Sequence, residues 1–271
     1  MSRISAGVLS QISRIPEVLP AVGACALLQL AKAQGTLTRL GVVVALPAEA
    51  RTLLNEPIQP GGRAARGDGF VQLCGIGTAR ARDAAGALLE AGATALLSWG
   101  TCGGLDTALA AGSLVLPETV VSSTGAVFGV EPAWRERVSR CLARHIDYSH
   151  GPLVESRSVL GRPADKSALS RATGAVAVDM ESAAVAEVAR TAGVPFLIVR
   201  AVLDPAKRTI PVGILRAADP YGRVRGLPLL QALLSRPHTL IDLWQLRSDL
   251  RAAQATLASV ARLAGRNLLA Q

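Results

Sequence analysis

Residues 177–204 have the sequence AVDMESAAVAEVARTAGVPFLIVRAVLD, and this stretch decides the fold class. Two carboxylates, Asp179 and Glu181, stand just before a helix of small residues. An apolar strand follows over residues 196–202 and brings Asp204 to its carboxyl end. Either acidic group alone would indicate a helix cap or a turn residue. Together, at strand ends and helix starts, they occupy the places where α/β enzymes carry reactive groups.

The sequence before this stretch alternates between strand and helix patterns. Continuous apolar runs such as GVVVAL indicate strands that are buried on both faces of a parallel sheet. Strands are predicted over 40–46, 70–74, 95–99 and 113–121, helices over 78–90 and 132–142, and a glycine-rich turn after residue 99. The alternation predicts an α/β fold, a single domain with a mixed, mostly parallel central sheet flanked by helices.

Composition limits the class of protein. A chain of 271 residues that is 50 % hydrophobic can bury one large core. No run of 18 apolar residues is free of charges or helix breakers, so no transmembrane helix is expected. The four cysteines lack CxxC spacing and the three histidines lie in no motif. We therefore expect no metal site, no cofactor and no disulfide framework, in a cytoplasmic protein with reduced thiols.

The chain carries a formal net charge of +9, with a sequence pI near 10.4. Such a charge first suggests nucleic-acid binding. The arginines are scattered, however, without interleaved aromatic residues and without a known reader motif, so no nucleic-acid partner is expected. An anionic membrane surface and an ordinary solvated surface both remain open as explanations.

The sequence divides into three parts. Residues 1–38 form an N-terminal extension, disordered or helical; residues 39–205 form the α/β body; and residues 206–271 form a basic segment of the same domain. Residues 237–264 carry apolar side chains at helical spacing, namely Leu240, Leu243, Trp244, Leu250, Leu257 and Val260. This amphipathic stripe either lies at the inner face of the membrane as a peripheral contact or packs back on the body or a second subunit.

The motifs VDME at 178–181 and RAVLD at 200–204 resemble the nucleoside phosphorylase and nucleosidase superfamily. Two further blocks occur in the order that the superfamily has. One is GVVVALPAEARTLL at 41–54, and the other comprises CGIG at 74–77 with SWGTCGGLD at 98–106. The resemblance implies a small-molecule nucleoside substrate and a homo-oligomer.

The resemblance also implies roles for individual residues. Asp204 would be the general acid that protonates the leaving base, and burial would have to raise its pKa. Glu49 would orient and activate the attacking water. Glu181 would bind the ribose hydroxyls. The remaining substrate-binding positions would be Met180 against the sugar, Thr101 near the anomeric carbon, Gly100 and Gly75 along the wall, and Val159 in place of a base-stacking aromatic residue. Arg200 would be structural and pair with a nearby carboxylate.

Some positions depart from the superfamily pattern. Ser98 stands where the phosphorylases have a phosphate-binding arginine, and Ala45 with Glu49 replaces a second phosphate site. These departures favour water over phosphate as the acceptor, although another basic residue could substitute. Leu203 also replaces the serine that usually precedes the general acid.

The motifs GGLD at 103–106, VDMES at 178–182, RAV at 200–202 and DPA at 204–206, with the basic segment that follows them, resemble the hopanoid-associated phosphorylase family. That similarity implies release of adenine from adenosylhopane during hopanoid side-chain biosynthesis, by hydrolysis or phosphorolysis. A nucleosidase for methylthioadenosine or adenosylhomocysteine is the alternative enzyme, and a non-catalytic nucleoside-binding protein is the alternative of another class. The presence of Glu49, Glu181 and Asp204 together argues against the loss of catalysis.

Overall fold

The computed structural model describes residues 38–210, 219–222 and 239–268, which belong to one compact unit that begins at Thr38. The N-terminal extension expected over residues 1–38 lies outside the described residues except for Thr38 itself. Parts of the basic segment, residues 211–218 and 223–238, also lie outside them.

One mixed sheet organises the unit, with helices on its faces. Its strands are β1 (Leu40–Val44), β2 (Arg63–Arg66), β3 (Gly69–Leu73), β4 (Ala95–Gly104), β5 (Leu114–Val115), β6 (Thr119–Val121), β7 (Val127–Gly129), β8 (Tyr148–Ser149), β9 (Leu153–Glu155), β10 (Ala177–Asp179) and β11 (Phe196–Asp204). The helices are α1 (Pro47–Ala50), α2 (Thr78–Glu90), α3 (Pro132–Leu142), α4 (Pro163–Thr173), α5 (Ser182–Ala192) and α6 (Thr239–Ala264), followed by a 3₁₀ turn over Gly265–Leu268. The predicted fold class is confirmed.

Strand β4 is the centre of the sheet and changes its partner along one edge. Its first half pairs in parallel with β1, from Ala95 to Ser98, and its end pairs antiparallel with β10 at Gly103 and Gly104. On the other edge β11 runs parallel to it along its length. The strand order β2-β3-β1-β4-β10-β9-β6-β7 therefore opens a crevice where β1 ends and β10 begins.

The glycine-rich turn predicted after Trp99 is wrong, because β4 continues through these glycines to Gly104. Glycine at these strand positions allows neighbouring side chains to pack closely against the backbone. A Cβ on Gly100 would stand 2.4 Å from Nη1 of Arg200 and 2.7 Å from the carboxylate of Glu49. Only glycine leaves room for both buried side chains at this position.

Other boundaries also differ from the prediction. The strand expected over 113–121 is broken between β5 and β6 at Pro117, whose ring nitrogen has no hydrogen to donate to a ladder. The sequence reasoning also missed helix α4 and the strands β2, β7, β8, β9 and β10. These elements are short or carry charged residues, so their apolar periodicity is weak.

Helix α6 packs against β11 and α3. Ala253, Leu257, Val260 and Ala264 on α6 are fully buried in the main core. Within the predicted amphipathic stripe, Trp244 is 73 % exposed whereas Leu257 and Val260 are buried. The interpretation in which the whole stripe contacts a membrane is therefore wrong for the second half of the helix, because that half packs back on the body. No helix among the described residues is long and apolar enough to cross a bilayer.

Candidate active site

A cavity of about 290 Å³ lies in the crevice beside β4. Its wall comes from the segment after β1, the second half of β4, the end of β10 and the end of β11, so the carboxyl ends of several strands meet there. Six of the residues predicted for the site line it: Glu49, Thr101, Val159, Met180, Glu181 and Asp204. Glu49 and Asp204, which are 155 residues apart in the sequence, thus meet at one site, in the arrangement that binds ligands in open α/β sheets.

Glu49 is held rigidly beside Thr101. Its side chain is buried, 1 % exposed, at the start of the short helix α1. Oε1 accepts hydrogen bonds from the backbone N–H of Thr101 at 2.7 Å and from the Thr101 hydroxyl at 2.9 Å. Oε2 accepts from the backbone N–H groups of Ala45 at 3.1 Å and Leu46 at 2.9 Å. Four donors fill the acceptor sites of one carboxylate, and the Thr101 hydroxyl is the only one of them that can rotate away.

Asp179, which lines the cavity, forms a buried ion pair with Arg200 behind it. Arg200 donates from Nε to Oδ2 of Asp179 at 2.8 Å, and its Nη2 lies 2.7 Å from the same oxygen. Nη2 also donates to the hydroxyl oxygens of Ser98 and Ser182. Asp179 in turn accepts from the backbone N–H of Ser182, the first residue of helix α5. Arg200 is thereby committed to protein partners.

Glu181 presents its carboxyl group to the cavity from the start of α5. Oε1 accepts from the backbone N–H of Gly77 at 2.8 Å, and Gly77 can point that group inward because its φ is 113°, a value that favours glycine. Burial raises the pKa of Glu181 to about 7, and the charge of Asp179 adds to the rise, while Arg200 and the Gly77 N–H oppose it. Near neutral pH, Glu181 is therefore divided between its protonated and its ionised form.

Asp204 ends β11 at the same cavity and is only 7 % exposed. Its Oδ2 lies 2.6 Å from Nζ of Lys166, which is itself buried on α4. Burial raises the pKa of Asp204, and the ion pair with Lys166 opposes that rise. The sequence analysis did not name Lys166, because one lysine in a helix with alternating polar residues has the pattern of a solvated face.

Two of the predicted substrate-binding glycines do not line the cavity. Gly100 is buried behind it, against Arg200 and Glu49. Gly75 is also buried, with a φ of 83°, and a Cβ there would stand 3.2 Å from Arg80 and from Tyr221. Both glycines shape the backbone that carries the wall. A glycine-rich motif in the sequence does not show whether its glycines contact a ligand or only allow the backbone to pack.

The rest of the wall is largely apolar. Val159 is 44 % exposed at the cavity, and Leu160 lies next to it. Helix α6 contributes Leu246 and Leu250 from outside the motifs on which the sequence analysis relied. These side chains place an apolar surface beside the carboxylates, a combination common in small-molecule sites.

Comparisons with known proteins agree on the fold. The profile of the phosphorylase superfamily matches residues 39–215. Futalosine hydrolase of Helicobacter pylori strain 26695 aligns with a TM-score of 0.63 and 16 % identity, covering 83 % of this chain and 96 % of that one. The 5′-methylthioadenosine/S-adenosylhomocysteine nucleosidase of Neisseria meningitidis, in complex with methylthio-immucillin-A, aligns with a TM-score of 0.62 and 20 % identity, covering 83 % and 97 %.

The corresponding nucleosidase from Helicobacter pylori, with butyl-thio-DADMe-immucillin-A, has a TM-score of 0.61 and 17 % identity, covering 83 % of this chain and 98 % of that one. No curated protein matches the sequence.

Proposed function

Since the chain belongs to the phosphorylase superfamily, we propose that it cleaves the N-glycosidic bond of a purine nucleoside and releases the base. The observation that carries the proposal is the convergence of Glu49, Glu181 and Asp204, each buried and each from a different element, on one cavity. Such a set of carboxylates can hold a sugar, activate a nucleophile and protonate a leaving group.

The proposed reaction divides these tasks among the three acidic residues. Asp204 donates a proton to the departing base, because a purine anion is a poor leaving group. Glu181 accepts hydrogen bonds from the ribose hydroxyls as positive charge develops on the sugar. Glu49 orients the attacking water and takes its proton. For this step the Thr101 hydroxyl must release Oε1, since the other three donors to Glu49 are backbone groups.

We propose water as the acceptor. Phosphate binding requires cationic or N–H donors directed into the site. Among the described residues that line the cavity, Lys166 carries the only positive side chain, and it is paired with Asp204. Arg200 is paired with Asp179, and Ser98 bonds to Arg200 and Ser182 away from the cavity wall. Glu49 and Glu181 on the wall have no salt-bridge partner among the described residues, and their carboxylates also oppose a phosphate dianion.

For the substrate, we propose adenosylhopane, with adenine as the released base. The apolar side chains of Leu246 and Leu250 at the cavity support a nucleoside with a large hydrocarbon group. Methylthioadenosine and adenosylhomocysteine, after which two structurally similar nucleosidases are named, form the competing substrate class. A homo-oligomer also belongs to the proposal. A peripheral membrane contact now depends on the first half of α6, where Trp244 is exposed.

The test is release of adenine from adenosylhopane and from methylthioadenosine, each with and without inorganic phosphate. We expect free adenine and free ribosyl product at the same rate in both buffers, and faster turnover of adenosylhopane. A sugar 1-phosphate product would overturn hydrolysis, and preference for methylthioadenosine would overturn the lipid substrate. Binding of both nucleosides without any base release would identify a non-catalytic binding protein.

A further inference from the structure

Lys166 is almost completely enclosed and lies against the proposed general acid. The side chain is 1 % exposed, in the first turns of α4. Its Nζ lies 2.6 Å from Oδ2 of Asp204 and donates to the backbone oxygens of Asp204 at 3.2 Å and Pro205 at 2.9 Å, with that of Arg208 at 3.5 Å. One ammonium group therefore holds both the side chain of Asp204 and the backbone that follows it.

These contacts exclude a direct role for Lys166 in ligand binding. An ammonium group has three hydrogens, and four acceptors already compete for them. No hydrogen remains for a base or a phosphate unless a protein contact is broken. Any influence of Lys166 on the reaction must therefore pass through Asp204.

We propose that Lys166 is a positioning residue for base release: its ammonium group fixes the orientation of the Asp204 carboxyl group and sets the pH range in which that group can donate a proton. This inference rests on the proposed function, in which Asp204 protonates the leaving base. It adds a residue that the sequence motifs do not contain and assigns it a measurable effect.

The other charged groups that face Asp204 raise its pKa, whereas Lys166 lowers it. Asp249 on α6 adds to the rise in the pKa of Asp204, although Asp249 is itself paired with Arg208 at 2.8 Å. The buried thiol of Cys102 on β4 also faces this region, and burial raises its pKa, with the Asp204 charge contributing. Burial is the main cause that raises the pKa of Asp204, and Lys166 is the main group that lowers it. Removing the ammonium charge must therefore raise the pKa of Asp204 further.

The experiment compares Lys166→Gln, which loses the charge but keeps hydrogen-bond donors, with Lys166→Arg, which keeps the charge but changes the geometry. Arg171→Met is the matched control, because Arg171 is an exposed cation on the same helix, and it donates a hydrogen bond to Ser167. For each protein, kcat and KM for adenine release are measured from pH 5 to pH 10. A thermal unfolding curve checks folding.

We expect Lys166→Gln to move the alkaline limit of kcat upward by about one to three pH units, the usual effect of one neighbouring charge. Lys166→Arg should keep that limit within about half a unit and lower kcat by up to about 10²-fold, because the carboxyl group is displaced. Arg171→Met should match the wild type in both respects. An unchanged limit in Lys166→Gln, with lowered thermal stability alone, would show a purely structural lysine and overturn the proposal.

A second measurement does not depend on catalysis. The carboxyl carbon of Asp204, assigned by comparison with Asp204→Asn, is followed by ¹³C NMR during a pH titration of wild type and Lys166→Gln. A higher midpoint in the variant supports the proposal, and equal midpoints overturn it. If Lys166→Gln does not fold, Lys166→Arg decides, since a shifted alkaline limit there contradicts control by charge. Absence of base release by the wild type would refute only the proposed function, so the two failures are distinguishable.

Discussion

Gly100→Ala tests how the centre of the sheet supports the site. The added Cβ would stand 2.4 Å from Nη1 of Arg200 and 2.7 Å from both Cδ and Oε1 of Glu49, distances that force a displacement. Side-chain ends often move at little cost, but these two are anchored. Glu49 accepts four hydrogen bonds, and Arg200 is bonded to Asp179 and to two serine hydroxyl groups.

The expected loss in the free energy of unfolding has two parts. Overpacking a core position costs about 1–3 kcal/mol. Displacing one buried, charge-assisted hydrogen bond adds about 1.5–3 kcal/mol. We therefore expect Gly100→Ala to destabilise the protein by about 2.5–6 kcal/mol, a large part of the usual stability of about 5–15 kcal/mol. Activity should fall by about 10²-fold in the protein that remains folded, because Glu49 is displaced.

Urea unfolding at fixed pH measures the stability change, and adenine release measures the activity. Gly86→Ala is the matched control, because a Cβ there meets nothing within 4 Å and Gly86 lies inside helix α2. The free energy of unfolding of this control should rise by about 1 kcal/mol, because alanine has a higher helix propensity than glycine. If the free energy of unfolding of Gly100→Ala lies within about 0.5 kcal/mol of the wild-type value and the variant keeps its activity, the close packing of Arg200 and Glu49 against Gly100 is refuted.

Three further predictions follow from the acidic residues of the cavity. Asp204→Asn keeps the shape but loses the donated proton, so adenine release should fall by about 10²-fold or more; near-normal turnover would place the general acid elsewhere. Glu49→Gln should lower kcat by a similar factor while leaving KM for the nucleoside nearly unchanged, and a rise in KM alone would indicate a binding role. Because the pKa of Glu181 rises from 4.5 to about 7 on folding, the folded protein retains a proton that the unfolded chain loses, so stability should fall by about 3 kcal/mol as pH rises from 4.5 through 7. Glu181→Gln should remove this part of the slope in denaturation curves, and an unchanged slope would contradict the assigned shift.

The fold class was predicted correctly from the sequence, and so were several of the residues that line the cavity. Glu181 and Asp204 were accessible to sequence reasoning because an apolar strand or a small-residue helix adjoins each of them, and both periodicities are strong. Glu49 was accessible because a buried strand ends just before it. The positions of these three residues follow from the strand or helix next to each of them, and the local sequence pattern predicts those elements.

The parts that were missed depend on contacts between distant segments. Gly100 lies within β4, and the side chains that leave no room for a Cβ there, Arg200 and Glu49, are distant in sequence. Lys166 meets Asp204 across 38 residues, and no local signal marks a lysine that will be buried. The apolar stripe of α6 was found, but periodicity alone could not show whether the body or a membrane would cover it.

The core of the α/β body is completed by a helix that follows it in the sequence. Leu257 and Val260 on α6 belong to that core, and α6 packs against β11 and α3. Without α6, the apolar surface that these side chains cover would be open to water and to other chains. We therefore expect truncation within α6 to produce protein that aggregates or is degraded, even though every residue that the α/β body contributes to the cavity is present.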